Sequence, residues 1–394
     1  MNAVYLVSAA RTAIGTFGGA LKDYTPGSLG AAAIKGALSR GGVDPELVEH
    51  TIVGNVVPCE PRDAYVSRIA AVEAGIPHGA PALTVNRLCG SGMQAIVSAA
   101  QHLMLGDHQV AVGAGAEVMT RAPYFAMGVR WGLKMGDSPL MDGMLGALHD
   151  PFHRYHMGIT AENVAEKYQI TREQQDAFAA ESQRRAAAAI EAGYFKDQIE
   201  PVEVKVRREK VMFDTDEHVK AGTTAEKLSG LRPAFKKEGG TVTAGNASGI
   251  NDGAGAVILA TEEAVKKNGW KPMARLVSYG HAGVDPAYMG IGPVPASEIA
   301  IAKSGLSKDQ LDVIESNEAF AAQACAVSKQ LGLDPDKVNP NGSGISLGHP
   351  IGGTGAILVT KLVYELQRTG GKYGLATMCI GGGQGIATVW ENLS

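Results

Sequence analysis

The chain has 394 residues, 45% of them apolar and 19% charged, and a net charge of -4. That length exceeds one ordinary core and points to two or three domains, or one large duplicated one, while the composition excludes a disordered chain. A mildly negative chain excludes nucleic acid as the main partner, because binding phosphates on that scale needs a basic surface.

The opening run, Met1 to Gly15, lacks a basic n-region, and its apolar stretch is too short for a signal peptide or a membrane span. It reads as a first strand, with no membrane partner expected. Short apolar runs then alternate with helical patterns. Strands are expected at Val4 to Ser8, Thr51 to Val56, Ala82 to Val85 and Gln109 to Gly113, and helices at Leu29 to Leu38, Tyr65 to Ala74 and Gly92 to Leu105. This alternation predicts an α/β sheet with helices on its faces.

After about Glu117 the pattern gives way to a longer, more polar region. It holds a capping box, Thr171 to Gln174, that opens a helix, and a basic run, Lys205 to Lys210. From Thr241 the alternation resumes, so the middle reads as an insertion. Near the end, a strand-like run closes at Cys379 and passes into Gly381-Gly382-Gly383. The flanking parts resemble one another: Val85-Asn86, Gly90-Ser91-Gly92 and Ala111 to Gly115 can be laid over Val338-Asn339, Gly342-Ser343-Gly344 and Cys379 to Gly383. In that overlay Cys379 falls on Ala111, which makes the thiol an addition to the repeated scaffold.

Four cysteines, Cys59, Cys89, Cys325 and Cys379, lie far apart without a C-x-x-C pair. Neither a zinc knuckle nor a disulfide framework is indicated, and a reducing, cytoplasmic setting fits. Cys89 precedes Gly90-Ser91-Gly92 and a helix start, where unpaired N–H groups and the helix dipole would lower a thiol pKa. Its plain alternative is a small buried hydrophobe. Gly90 to Ala95 also fits G-x-G-x-x-A, with Glu117 imitating the ribose-binding acid, which gives a rival reading as an NAD-dependent dehydrogenase. That fingerprint normally opens its domain, whereas here it follows two α/β units.

His349 sits in Gly348-His349-Pro350 just before a predicted helix, a setting suited to acid-base work. Asn317, in Asn317-Glu318-Ala319-Phe320, is either the cap of the next helix or an amide that holds a water or an oxyanion. His149, His153 and His156 echo metal spacing, but Pro151 interrupts them and no carboxylate trio completes a shell, so no metal is expected.

Taken together, Cys89-Gly-Ser-Gly, Asn317-Glu-Ala-Phe, Gly348-His-Pro-Ile-Gly and Cys379-Ile-Gly-Gly-Gly resemble the thiolase family over essentially the whole chain. Tyr155 to Asn163 is similar to the biosynthetic, short-chain branch, acetyl-CoA acetyltransferases and the bacterial β-ketothiolases of polyhydroxyalkanoate synthesis. The resemblance implies an α/β fold of duplicated βαβαβαββ halves in a five-layered αβαβα core with an inserted loop domain. It divides the chain into residues 1–119 with 241–270, a loop domain at 120–240, and residues 271–394.

It also implies a reversible Claisen condensation of two short acyl-CoAs to a 3-ketoacyl-CoA and CoA, with no cofactor, since CoA thioesters are the substrates. Cys89 is acylated with the help of His349, and Cys379 is the base that generates the carbanion. One oxyanion site comes from His349 and an Asn317-held water, the other from the backbone N–H groups of Cys89 and Gly381. Pocket lining is carried over to His156, Met157, Lys220, Phe235, Ala244, Ser248, Met289, Ala319 and Phe320.

The sequence departs from that pattern at four places. Lys220 stands where Arg is frequent, Lys227 replaces a small polar residue, and Ser343 and Ser316 stand where Gly and an apolar residue or Ala are usual. Lysine cannot form arginine's bidentate fork. A homotetramer, a dimer of dimers, is implied, with Thr120 to Asp137 as its protruding loop. β-Ketoacyl synthases and hydroxymethylglutaryl-CoA synthases share the nucleophile but lack the second cysteine.

Overall fold

The computed structural model describes residues 2–393. Its strands and helices alternate as β1 (Val4–Arg11), α1 (Pro26–Gly41), β2 (His50–Gly54), α2 (Val66–Glu73), β3 (Ala82–Val85), α3 (Ser91–Leu105) and β4 (Val110–Val118). The insertion carries α4 (Met157–Tyr168) and α5 (Arg172–Glu191). Then come β5 (Asn251–Thr261), β6 (Ala274–Gly283), α6 (Pro293–Ser304), β7 (Val313–Ser316), α7 (Ala321–Leu331), α8 (Ile351–Thr369), β8 (Tyr373–Ile380) and β9 (Gln384–Asn392). The expected elements are all present. β4 runs five residues beyond Gly113, because its alternating Gly and Ala pack on both faces and every one of its residues is buried. The first strand after the insertion begins at Asn251, later than Thr241.

One mixed sheet runs β7-β8-β9-β6-β1-β5-β4-β2-β3. Its two parts repeat one order. In the first, β2 lies parallel between β3 and β4, and β5 joins β4 to β1 in antiparallel fashion. In the second, β7 is parallel to β8 and to an isolated bridge at Val338, and β9 joins β8 to β6. The parts meet where Tyr5 and Leu6 pair with Arg275 and Ala274.

The duplication fixes an equivalence that differs from the glycine-anchored overlay. Gly54, the last residue of β2, pairs with Gly115, and Ser316, the last of β7, pairs with Thr377. Glu117, two residues past Gly115, therefore matches Cys379, and Asn55 matches Asn317. Ala111 lies near the start of β4, far from that position. Glycine runs align on composition alone, and strand register overrules them.

Five layers result. Helices α1 and α2 cover the outer face of the first part, α6 with α7 beside it covers that of the second, and α3 and α8 fill the centre. Helix α8 is buried along nearly its whole length. The central helices touch backbone to backbone: a Cβ on Gly92 would come within 2.8 Å of Ala356 N, and one on Gly355 within 2.2 Å of Met93 N. Close packing of this kind needs glycine, and it accounts for part of the glycine excess.

The insertion is tied to the core by Arg11, which is fully buried and donates to Asp216 at 2.8 and 2.9 Å and to Gln198 at 2.7 Å. Thr171 and Gln174 form the expected capping box of α5. The basic run forms the exposed end of a hairpin, Val202–Val206 with Glu209–Phe213, in which Val202 and Val204 are buried and Lys210 pairs with Glu203 at 2.7 Å. Among the described residues no helix is long and apolar enough to cross a membrane.

Candidate active site

Cys89 stands on a turn between β3 and α3. Leu88 is held at φ 44°, a left-handed conformation that costs a branched residue roughly 1–2 kcal/mol. Ser91 offsets that cost: its hydroxyl donates to the Leu88 carbonyl at 2.6 Å and accepts from Arg87 N at 2.9 Å. The thiol meets two donors, the backbone N–H groups of Gly381 and of Cys89 itself.

Those donors do not win. Burial, with the Glu117 charge adding to it, pushes the Cys89 thiol up to about 11 against those two N–H groups, in place of the lowered value expected from the helix start, although the residue keeps partial exposure. Cys379 is fully buried at the end of β8, and its pKa is raised by burial and by the charge Cys89 would carry beside it. Both thiols are therefore neutral at rest.

His349 is the neutral titratable ring at this cavity. It follows Gly348, whose φ of 107° favours glycine, and its backbone N–H donates to Asn251 Oδ1 at 3.0 Å. Its Nδ1 lies 2.7 Å from Thr354 Oγ1, and that hydroxyl lies 2.8 Å from the Pro350 carbonyl. The hydroxyl donates its one proton to that carbonyl, so Thr354 accepts from Nδ1–H and Nε2 is the ring nitrogen without a proton. Asn317 Nδ2, 3.4 Å from Nε2, is placed to donate to it. Burial lowers His349 to about 4, which keeps the ring neutral.

Asn317 is not a helix cap. Helix α7 starts at Ala321 with Phe320 before it, and Asn317 is fully buried on the bend after β7. Glu318 beside it accepts from Ser182, Asn339 and Ile345, and so anchors the motif. Gly381 opens a tight connection to β9 in which Gly382 and Gly383 hold φ of 80° and 82°. A Cβ on Gly381 would press within 3.1 Å of Leu88 and 3.2 Å of Met157.

One cavity of about 290 Å³ joins Cys89, His156, Met157, Phe235, Ser248, Met289, Ala319, Phe320, His349 and Gly381. His156 caps α4, its Nδ1 accepting from Gly158 N at 3.0 Å, and stacks on Phe235 at 4.6 Å. Ala244 and Lys220 are exposed and lie outside this cavity, and Ala247 lines it. Lys227 bonds the Gly222 carbonyl at 2.7 Å, and Ser316 and Ser343 are buried.

Sequence reasoning missed the apolar end beside the nucleophile, formed by Leu88, Met119, Leu148, Ile250 and Ile351. Nothing in their spacing signals it, because they come from separate loops. Thr354 was also missed, although five residues after His349 it sits in the first turn of the same helix. Glu117 is sealed by four donors and fully buried, so it cannot meet a ribose, and the dinucleotide fingerprint lacks its acid. His149 and His156 meet edge-on and His153 pairs with Asp150; among the described residues no group of three or more metal-type ligands is arranged around an ion.

Residues 4–263 match the thiolase N-terminal domain and residues 270–392 the thiolase C-terminal domain. The chain belongs to the thiolase family. This thiolase is 63% identical over 390 residues to β-ketothiolase BktB of Cupriavidus necator, covering 99% of each chain. It is 51% identical to an acetyl-CoA acetyltransferase of Pseudomonas aeruginosa, covering 98% of each. Human mitochondrial 3-ketoacyl-CoA thiolase superposes with a TM-score of 0.98 at 48% identity over 99% of both chains. The Bacillus anthracis acetyl-CoA acetyltransferase does so at 0.97 and 48%, covering 100% of this chain and 99% of that one. The biosynthetic short-chain branch and the α/β thiolase fold are thereby established for the chain.

Proposed function

We propose that this thiolase catalyses the reversible condensation of two short acyl-CoAs to a 3-ketoacyl-CoA and CoA through acyl-Cys89. The observation that carries this reading is the meeting of the Cys89 thiol, a neutral His349 imidazole and Gly381 at one apolar cavity, with the Cys379 thiol buried next to Cys89.

In condensation, Cys89 sulfur attacks the thioester carbonyl as His349 Nε2 takes its proton, and the Cys89 and Gly381 N–H groups receive the oxyanion. The C–S bond to CoA breaks, and Cys379 gives its proton to the departing thiolate. Cys379, now a thiolate, takes an α-proton from a second acetyl-CoA, whose enolate oxygen faces His349 and a water on Asn317. The carbanion attacks acyl-Cys89, and the released sulfur recovers its proton from His349. Thiolysis is the same path reversed, with Cys379 exchanging protons at the same two points.

Phe235, Met157, Ser248, Met289, Ala319 and Phe320 receive the pantetheine arm, and exposed Lys220 lies toward the nucleotide end. No cofactor or metal takes part. The loop domain at 120–240 and the flanking halves at 1–119 with 241–270 and 271–394 form the working units. A homotetramer through Thr120 to Asp137 is supported by the exposure there of Tyr124, Phe125, Met127 and Trp131, an apolar patch that asks for cover. A cytoplasmic location and supply of polyhydroxyalkanoate precursors complete the reading. The test is cleavage of acetoacetyl-CoA by free CoA, with Cys89→Ala as control and β-ketovaleryl-CoA in parallel; no cleavage by folded protein would defeat it.

A further inference from the structure

We infer that Glu117 is a positioning residue that holds the start of the helix following His349 in register with the wall bearing Cys89. Glu117 occupies, in the first half, the place that Cys379 occupies in the second, and no step of the reaction uses it. Both of its oxygens are nevertheless fully engaged. Oε1 accepts from Asn55 Nδ2 at 2.9 Å and Val57 N at 3.1 Å; Oε2 accepts from Val56 N at 3.1 Å and Gly352 N at 2.8 Å.

Those donors come from two bodies. Asn55, Val56 and Val57 follow β2, and the two valines pack with Met119, Met144 and Ile351 in the cluster that also receives Cys89 and Leu88. Gly352 is in the first turn of α8, three residues past His349, and Pro350 before it offers no side-chain cap. The carboxylate therefore serves as the missing cap, at the end of α8 where a negative charge is stabilised. Burial raises this carboxyl to about 8 against the pull of the backbone donors. Its hydrogen-bond geometry, with four donors and no acceptor facing its oxygens, is that of an acceptor on both oxygens.

The clamp has no slack. A Cβ at Gly352 would sit 2.5 Å from Glu117 Oε2, and the same Gly352 carbonyl lies 2.3 Å from where a Cβ on Gly115 would be. Strand β4, the turn after β2 and the start of α8 are thus locked at one point. Through Pro350 and Ile351 that point sets how far His349 Nε2 stands from the Cys89 sulfur. A displacement on the order of 1 Å between reacting groups can cost roughly a hundredfold in rate, so a rigid tie here acts on turnover more than on binding.

The inference rests on the thiolase reading of Cys89 and His349. Its test is Glu117→Gln, which keeps the shape but turns an NH₂ group toward N–H donors. Acetoacetyl-CoA thiolysis is measured by kcat and KM, with Cys89 acylation followed in single turnovers and active sites counted by titration of Cys89. We expect kcat per titrated site and the acylation rate to fall together by roughly tenfold or more, with KM for both substrates within about twofold of wild type. An unchanged kcat per titrated site, even with fewer folded molecules, would overturn the inference and leave a purely structural carboxylate. If Glu117→Gln does not fold, Asn55→Ala removes one donor and should still lower kcat per site by a few-fold; no change there overturns the inference equally. Wild-type protein without thiolysis would bring down the parent reading, an outcome distinct from an active wild type and an equally active variant.

Discussion

Thr354 Oγ1 stands between His349 Nδ1, at 2.7 Å, and the Pro350 carbonyl, at 2.8 Å. This relay fixes which imidazole nitrogen carries the proton. In Thr354→Val the ring loses its Nδ1–H acceptor while volume is nearly kept. Thiolysis kcat should fall by about tenfold or more, the worth of one orienting hydrogen bond of about 1.4 kcal/mol, whereas Thr354→Ser should stay close to wild type. Equal activity of the valine and serine variants would refute the relay.

Cys89 titrates at about 11 and His349 at about 4, so the resting pair is thiol and imidazole and not an ion pair. Alkylation of Cys89 by iodoacetamide should then rise about tenfold per pH unit from 6 to 9 without levelling, because the thiolate fraction grows that way below the pKa. A plateau reached below pH 7 would reveal a preformed thiolate.

Removing the second thiol separates the two chemical halves. Cys379→Ser replaces a proton donor and acceptor by a hydroxyl far too weakly acidic for either task. Carbon–carbon bond formation and cleavage should drop by on the order of 10²-fold or more, while labelling of Cys89 by acetyl-CoA stays measurable. Loss of labelling in a folded variant would sink the division of roles.

A separate consequence concerns acid. His50 is buried, stacks on His102 and His108 at 4.8 and 5.0 Å, and is lowered to about 4 by burial and by those neighbouring rings, with Asp107 acting the other way. In the unfolded chain it takes up its proton near ~6.5. A histidine depressed in the fold leaves stability intact above ~6.5 and erodes it as pH falls toward 4, since the unfolded chain binds the proton that the fold refuses. His156, His281 and His349, each lowered to about 4, add to the slope. Urea midpoints measured from pH 7.5 to 4.5 should fall in that window, and less steeply in His50→Phe; parallel curves would exclude a contribution from His50.

Much of the architecture could be read from residue order. Alternating apolar runs marked β1 to β4 and their helices, and four short motifs marked Cys89, Asn317, His349 and Cys379. These signals are local. The parts that went unread depend on which strand lies beside which: the match of Glu117 with Cys379 comes from register, and the cavity end at Met119, Leu148 and Ile351 from loops distant in sequence. The pKa of Cys89 was misjudged for a related reason, because a helix start is visible in sequence and the depth of burial around it is not. Ala247, three residues past Ala244, lines the cavity, a matter of local chain direction that residue order does not show.

The backbone contact between α3 and α8 bears on how this enzyme comes to life. Cys89, the proposed nucleophile, belongs to the first repeat, while His349 and Cys379 belong to the other, and glycines let the two helices meet with no side chains between them. A nascent or severed half thus holds one fragment of a reaction centre and none of its reactivity. Enzymatic turnover becomes an all-or-none reporter of the two repeats having docked, and its recovery during refolding should trail the appearance of helix and sheet.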